Sequence, residues 1–135
     1  MGADLYIPSL FNPTQKKYKS KFKTAVEVRN AFPRDSKQAK VAQETVEKYY
    51  ELMYSKGYFR DSYNGSNLLW KLGLSYWHNK FINKKGLIMP TKAQELLELV
   101  KAGEVRDKYF KNKQKDFIEF LKMAIKLNEP IEASV

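Results

Sequence analysis

The sequence predicts an all-α protein, a single compact domain of about five helices spanning residues 1–135. Three observations predict it. Apolar residues recur every three to four positions through several long stretches, the period of one helix face. Capping residues, glycine or proline bound those stretches. No set of alternating segments offers convincing paired strands.

Residues 1–11 hold a short apolar run, Leu5-Tyr6-Ile7, ended by Pro8, and read as an extended arm on the body. Asn12 precedes Pro13, with Gln15 three residues after it. That is a cap, a proline at the first helical position and a capping-box-like glutamine. The first helix is expected from about 13 to 31, ending before Phe32-Pro33 because the residue before proline avoids the helical conformation. Tyr18, Phe22, Ala25, Val26 and Arg29 share a face, and Lys16, Lys17, Lys19, Lys21 and Lys23 cover the remainder.

Asp35 or Ser36 can cap a second helix from about 36 to 56, stopped by Gly57. Ala39, Ala42, Val46, Tyr49, Tyr50 and Met53 form its apolar stripe, opposite Glu44, Glu47 and Glu51. Short connections make the two helices an antiparallel hairpin. Residues 57–66 read as a loop with an Asn64-Gly65 turn. From Asn67 to His78 the chain is apolar almost all round, which predicts one buried central helix. Residues 79–90 are a basic loop. Thr91 and Gln94 start a fourth helix with Ala93, Leu96, Leu97 and Val100 inward and Gly103 as its stop. The fifth helix runs from about 104 to 128 on Tyr109, Phe110, Phe117, Phe120, Leu121, Ala124 and Ile125. Lys113 and Gln114 fall on that apolar face, so a bend or fraying is expected there. The tail 129–135 reads as irregular.

Composition removes several classes of function. The chain has no cysteine, which excludes disulfides, thiol nucleophiles and thiolate metal sites. A single histidine, His78, excludes sites that need two imidazoles. No apolar run approaches the roughly 20 residues of a membrane span. The first residues lack a signal peptide's basic and apolar regions. The expectation is a cytoplasmic protein with no membrane partner.

Net charge is +10 with a pI near 9.6, a balance that favours anionic partners. The basic residues are mostly lysine. Arginine, which reads base edges in bidentate fashion, occurs only as Arg29, Arg34, Arg60 and Arg106. A lysine-driven contact with phosphates is therefore expected to be non-specific. Lys16, Lys19 and Lys23 on the first helix and Lys108, Lys111, Lys115 and Lys122 on the last are the candidate basic surfaces. The second set, with Lys126, falls within about 60° of a helical wheel, interrupted by Glu119. The plain alternative is a solvated face.

Candidate chemistry is sparse. Glu44-x-x-Glu47 and Glu104-x-x-Asp107 match strings that hold magnesium in all-α nucleotide pyrophosphohydrolases. Their separation is too long for that pattern, and ion pairing on a solvated face accounts for them. Ser75 lies one turn before His78, with no orienting carboxylate and no G-x-S-x-G elbow. No phosphate loop occurs. No metal and no cofactor is expected. The densest stretch is aromatic: Tyr58, Phe59, Tyr63, Trp70, Tyr76 and Trp77, interleaved with polar residues. Rings at such spacing either build core or wall a ligand site. Arg60, Asp61, Tyr63, Asn64, Trp70, Trp77 and His78 are the ligand-binding candidates. Arg60 and Asp61 are expected to be dragged inward by their aromatic neighbours. Asp61 would accept from its own turn or from the start of the Asn67 helix, and Arg60 would pair with a carboxylate such as Asp4.

Three segments carry a family resemblance: Met1-Gly-Ala-Asp-Leu-Tyr-Ile; Gly57-Tyr-Phe-Arg-Asp-Ser-Tyr-Asn with Leu69-Trp70 and Leu72-Gly-Leu-Ser75-x-Trp77; and Glu129-Pro-Ile. Over most of its length the chain resembles small uncharacterised bacterial and phage proteins. The resemblance implies a compact single domain and brings no activity with it. The expected function is a non-enzymatic, basic helical binding protein for nucleic acid or an acidic protein surface. The alternative is a small-molecule-binding protein, or an enzyme, with an aromatic-walled site at 58–78.

Overall fold

The computed structural model describes residues 2–62 and 67–134. The predicted Asn64-Gly65 turn and the site candidates Tyr63 and Asn64 lie outside the described residues. The chain forms two compact units, one comprising the chain up to Pro8 and from Tyr58 onward, the other Ser9–Gly57.

The first unit corrects the all-α expectation. It contains a four-stranded antiparallel sheet in the order β2-β1-β4-β3, built from β1 (Gly2–Tyr6), β2 (Tyr58–Ser62), β3 (Leu87–Ile88) and β4 (Ile131–Ser134). The extended arm is thus a central strand, and the tail expected to be irregular is its neighbour. Each strand is too short to show a clear alternation. Period two is nevertheless present: Ala3 and Leu5 are buried while Asp4 and Tyr6 are half-buried. β2 obeys the same rule, with Phe59 and Asp61 buried and Arg60 exposed.

The second correction concerns the central helix. Residues 67–78 form two short helices, α3 (Leu68–Lys71) and α4 (Trp77–Phe81), instead of one. Gly73 takes φ +77° and Tyr76 φ 62°, both left-handed, and these break the helix between them. Leu68, Leu69, Trp77 and Phe81 still enter the core, whereas Trp70 and Tyr76 face solvent. An apolar stretch that looks buried all round is here two anchors joined by an exposed elbow.

The last two helices, α5 (Pro90–Ala102) and α6 (Lys108–Leu127), follow the sequence pattern more closely. Ala93, Leu96, Leu97 and Val100 are buried on α5, as are Phe110, Phe117, Phe120, Leu121 and Ala124 on α6. α5 starts at Pro90 with Met89 before it, so Thr91 is not its cap. Gly103 ends it, and a Cβ there would lie 2.5 Å from Leu72 Cδ2, so a larger residue would require the Leu72 side chain to shift. Asp107 caps α6 by accepting from Tyr109 N–H at 2.8 Å and Phe110 N–H at 3.4 Å. α6 is continuous through Lys113 and Gln114, correcting the expected bend. Gln114 Nε2 donates to Val100 O at 2.7 Å and Gly103 O at 2.9 Å, which satisfies a polar group on an inner face.

The second unit is a helical hairpin of α1 (Pro8–Asn30) and α2 (Lys37–Met53). α1 begins at Pro8, five residues before the expected start. Both Pro8 and Pro13 suit a first turn, and the chain uses the earlier one. Thr14 Oγ1 donates to Leu10 O at 2.9 Å. Ser36 caps α2 by accepting from Ala39 N–H at 3.1 Å. Gln15 Nε2 donates to Met53 O at 3.1 Å, and Arg29 Nη1 donates to Gln43 Oε1 at 2.7 Å, tying the two helices together at separated points. Tyr18 lies against Tyr49, and Phe22 against Tyr50. Thr14, Ala25, Ala39, Val46 and Met53 are its buried residues.

Candidate functional site

The site is built on β2 and α6, both in the first unit. Strand alternation decides the orientation of its two central charges. Asp61 shares the inward side with Phe59, so its carboxylate is carried into the core and is 2% exposed. Such a carboxylate needs hydrogen bonds in place of water. Leu68 N–H donates to Oδ1 at 2.9 Å and Leu69 N–H to Oδ2 at 3.1 Å. Asp61 thereby caps α3, a task Asn67 at the N-cap position does not perform with its own side chain. Lys113 Nζ stands 3.9 Å from Asp61 Oδ1, completing a largely buried ion pair.

Arg60 has the opposite parity, which corrects the expectation that both charges are buried. Its side chain keeps 59% of its surface exposed. It does face Asp4, as expected: the two are direct cross-strand partners, with Nη1 3.6 Å from Oδ1. Tyr58 completes the group by donating its hydroxyl to Asp4 Oδ1 at 2.6 Å. Burial pushes the Tyr58 phenol well above the ordinary tyrosine value, and the bond to the Asp4 carboxylate and that group's charge add to it. Tyr58 remains a donor across the physiological range.

Between β2 and α6 lies an open cleft of about 400 Å³. Tyr58, Phe59 and Arg60 line it from the strand, and Tyr109, Asn112, Lys113 and Asp116 from the helix. The helical residues recur at spacings of three and four, so they share one flank of α6. Lys113 Nζ lies 6.0 Å from the Phe59 ring centre and 5.7 Å from that of Tyr109, near the outer limit for cation–π attraction. Sequence reasoning missed Tyr109, Asn112, Lys113 and Asp116 as site residues. The signal was present: a lysine on an apolar helix face must meet a buried partner.

Among the described residues, the aromatic-walled site expected at 58–78 is not brought together. Arg60 lines the cleft and Asp61 lies buried with its ion-pair partner on the cleft wall. Trp70, Trp77 and His78 do not line it. Trp70 is 51% exposed on α3, while Trp77 is a core residue of α4 with the half-buried His78 ring edge-on to it at 6.2 Å. The elbow at Gly73 and Tyr76 separates these aromatic residues.

The basic candidates are all exposed: Lys16, Lys19 and Lys23 on α1, and Lys108, Lys111, Lys115 and Lys122 on α6. Lys122 Nζ lies 3.9 Å from Glu119. Among the described residues, Lys108, Lys111, Lys115 and Lys126 have no carboxylate within ion-pair distance. Among the described residues there is also no group of three or more His, Asp or Glu that could hold a metal ion. No helix there is long and apolar enough to cross a membrane. No family model, curated protein or solved structure matches this chain.

Proposed function

We propose that this protein is a non-enzymatic binding module whose α6 holds an anionic polymer, the backbone of a nucleic acid, without reading its sequence. The observation that carries the proposal is the solvent face of α6. Lys108, Lys111, Lys115, Lys122 and Lys126 share it, opposite the buried Phe110, Phe117 and Leu121, and only Lys122 has an ion-pair partner among the described residues. Twenty helical residues span about 30 Å, room for several successive phosphates. Ammonium groups bind phosphate as point charges, and the scarcity of arginine disfavours base readout. A cytoplasmic location goes with this reading.

The test is a polarisation titration with single-stranded and duplex oligonucleotides across a salt series. Each lysine–phosphate contact contributes about 0.9 to the log–log salt slope on duplex DNA. Replacing Lys111 and Lys115 together by Ala should therefore lower the slope by roughly 2 on any sequence. No binding at about 50 mM salt, where the electrostatic attraction is strong, removes the proposal.

A second reading, small-molecule binding, is favoured by the cleft beside Arg60, whose volume falls in the range of ligand sites. Two tyrosines, and two cations against the single carboxylate of Asp116, suit a flat compound with an anionic group. Thermal-shift screening of aromatic carboxylates tests it. A shift that Arg60→Ala and Tyr109→Ala both abolish supports it, and no shift across the set rejects it.

A further inference from the structure

We infer that the α1–α2 hairpin docks an acidic amphipathic helix of a partner protein. The surface belongs to the second unit and is independent of the α6 lysine face. One side of the hairpin holds two adjoining hollows of about 330 and 550 Å³, which share Val28, Ala42 and Thr45. Small residues floor them: Thr24 and Ala25 from α1, Ala42 and Thr45 from α2. Small side chains leave room for a third backbone to approach closely. Val28, Phe32 and Val41 wall the groove and are 49%, 39% and 59% exposed, more than single scattered apolar residues account for. From Lys21 to Val28 the α1 wall is about 11 Å long, about two helical turns, and Phe32 extends it past the end of the helix.

The rim says what kind of helix fits. Lys21 and Lys37 are the charged residues that line the hollows, one near each end. Each hollow therefore carries a cation and no carboxylate. A second copy of this chain would bring lysine rim against lysine rim, which like-charge repulsion disfavours. A phosphate backbone would find only a few hydroxyls and one lysine at each end, and would leave the Val28, Phe32 and Val41 walls uncovered. A helix with an apolar stripe for the floor and glutamates or aspartates on both flanks matches both the walls and the rim, and completes a three-helix bundle.

The test uses the full chain and a fluorescein-labelled peptide of about 14 residues, with leucines at helical spacing and glutamates elsewhere; a twin carries lysines in place of glutamates. The acidic peptide should bind saturably in the micromolar range and the twin should not. Replacing Val28 and Val41 together by Ser leaves the charge unchanged and should weaken binding at least tenfold. Lys21→Glu with Lys37→Glu should weaken the acidic peptide and admit the twin. Lys111→Ala with Lys115→Ala should leave peptide binding intact, so that failure of the nucleic-acid proposal is read separately. The inference is overturned by three results: no saturable binding of the acidic peptide; unchanged affinity in the Val28/Val41 variant, meaning that lysine faces elsewhere hold the peptide; or a dimer in sedimentation that this variant disperses, which would make a second copy the occupant.

Discussion

Phe117 and Val41 are both apolar residues on long helices, and their surroundings are opposite. Phe117 is fully buried on α6, its ring stacked on Phe59 at 4.4 Å between centres. Val41 on α2 keeps 59% of its surface in solvent. The contrast extends to their units. The sheet-and-helix unit brings chain ends together: Leu5 pairs with Phe59 on one side and with Ala133 on the other. Its core is therefore assembled from segments that are remote in sequence. The hairpin is built from neighbours and buries only one seam. Most of the fully buried side chains belong to the first unit, and Val28 and Val41 of the second are exposed. Substitutions in the two should differ in kind.

The largest effect is expected at Phe117. Replacing it by Ala removes a ring from a site without solvent and leaves a cavity against Phe59 and Phe120. Such a truncation costs about 3–5 kcal/mol. Urea denaturation followed by circular dichroism measures it; a loss under 1 kcal/mol would erase the proposed contrast.

Asp61→Ala comes next, at about 3 kcal/mol. It leaves the Leu68 and Leu69 amides without their acceptor and strips Lys113 of its partner. Asp61→Asn keeps an acceptor oxygen and should lose less. Equal losses in the two would mean that the charge, not the capping of α3, is what matters.

Tyr58→Phe removes a hydrogen bond to a carboxylate at a half-exposed position, so about 1 kcal/mol is expected at pH 7. Its sign with pH is fixed. The folded protein holds the phenol's proton above its ordinary value, so above about pH 10 the unfolded chain releases a proton that the folded one retains. The Tyr58 contribution is full below that pH and fades as pH rises. Wild type and variant should converge in alkaline melts, since their other tyrosines are the same. A constant gap from pH 7 to 11 would show that the Tyr58 phenol is not raised in the folded protein.

The same contrast explains what could be read in advance. The hairpin, the Ser36 cap and the inward faces of α5 and α6 were legible because their information is local: spacing, caps and stops lie within a few residues of each other. The sheet was not. β3 has two residues, and β1 finds its partners at positions 58–62 and 132–134, so no window of sequence contains a pair. Missing β2 as a strand had a direct consequence for the site. As a loop, Tyr58-Phe-Arg-Asp suggests two charges dragged inward together; as a strand it must separate them. From charge, Asp4 could be named as one candidate partner for Arg60, which the structure pairs, while Lys113 required knowing that β2 carries Asp61 toward α6. The break at Gly73 was hidden by apolar residues on both sides of it, which imitate one buried helix.

The smallest effect sharpens the comparison most. Val41→Ser should change unfolding free energy by no more than about 0.5 kcal/mol, because an exposed side chain away from caps and partners contributes little to folding. The same shortening at Val46, buried in the hairpin seam, should cost more than at Val41, although the two lie on one helix five residues apart. If Val41→Ser destabilised the chain as much as Val46→Ser, the groove face would be packed in solution. Hydrogen exchange of α2 amides would then protect both sides of the helix alike. With the expected result, selection for folding alone does not account for a valine there, and its apolar surface remains for a partner to cover.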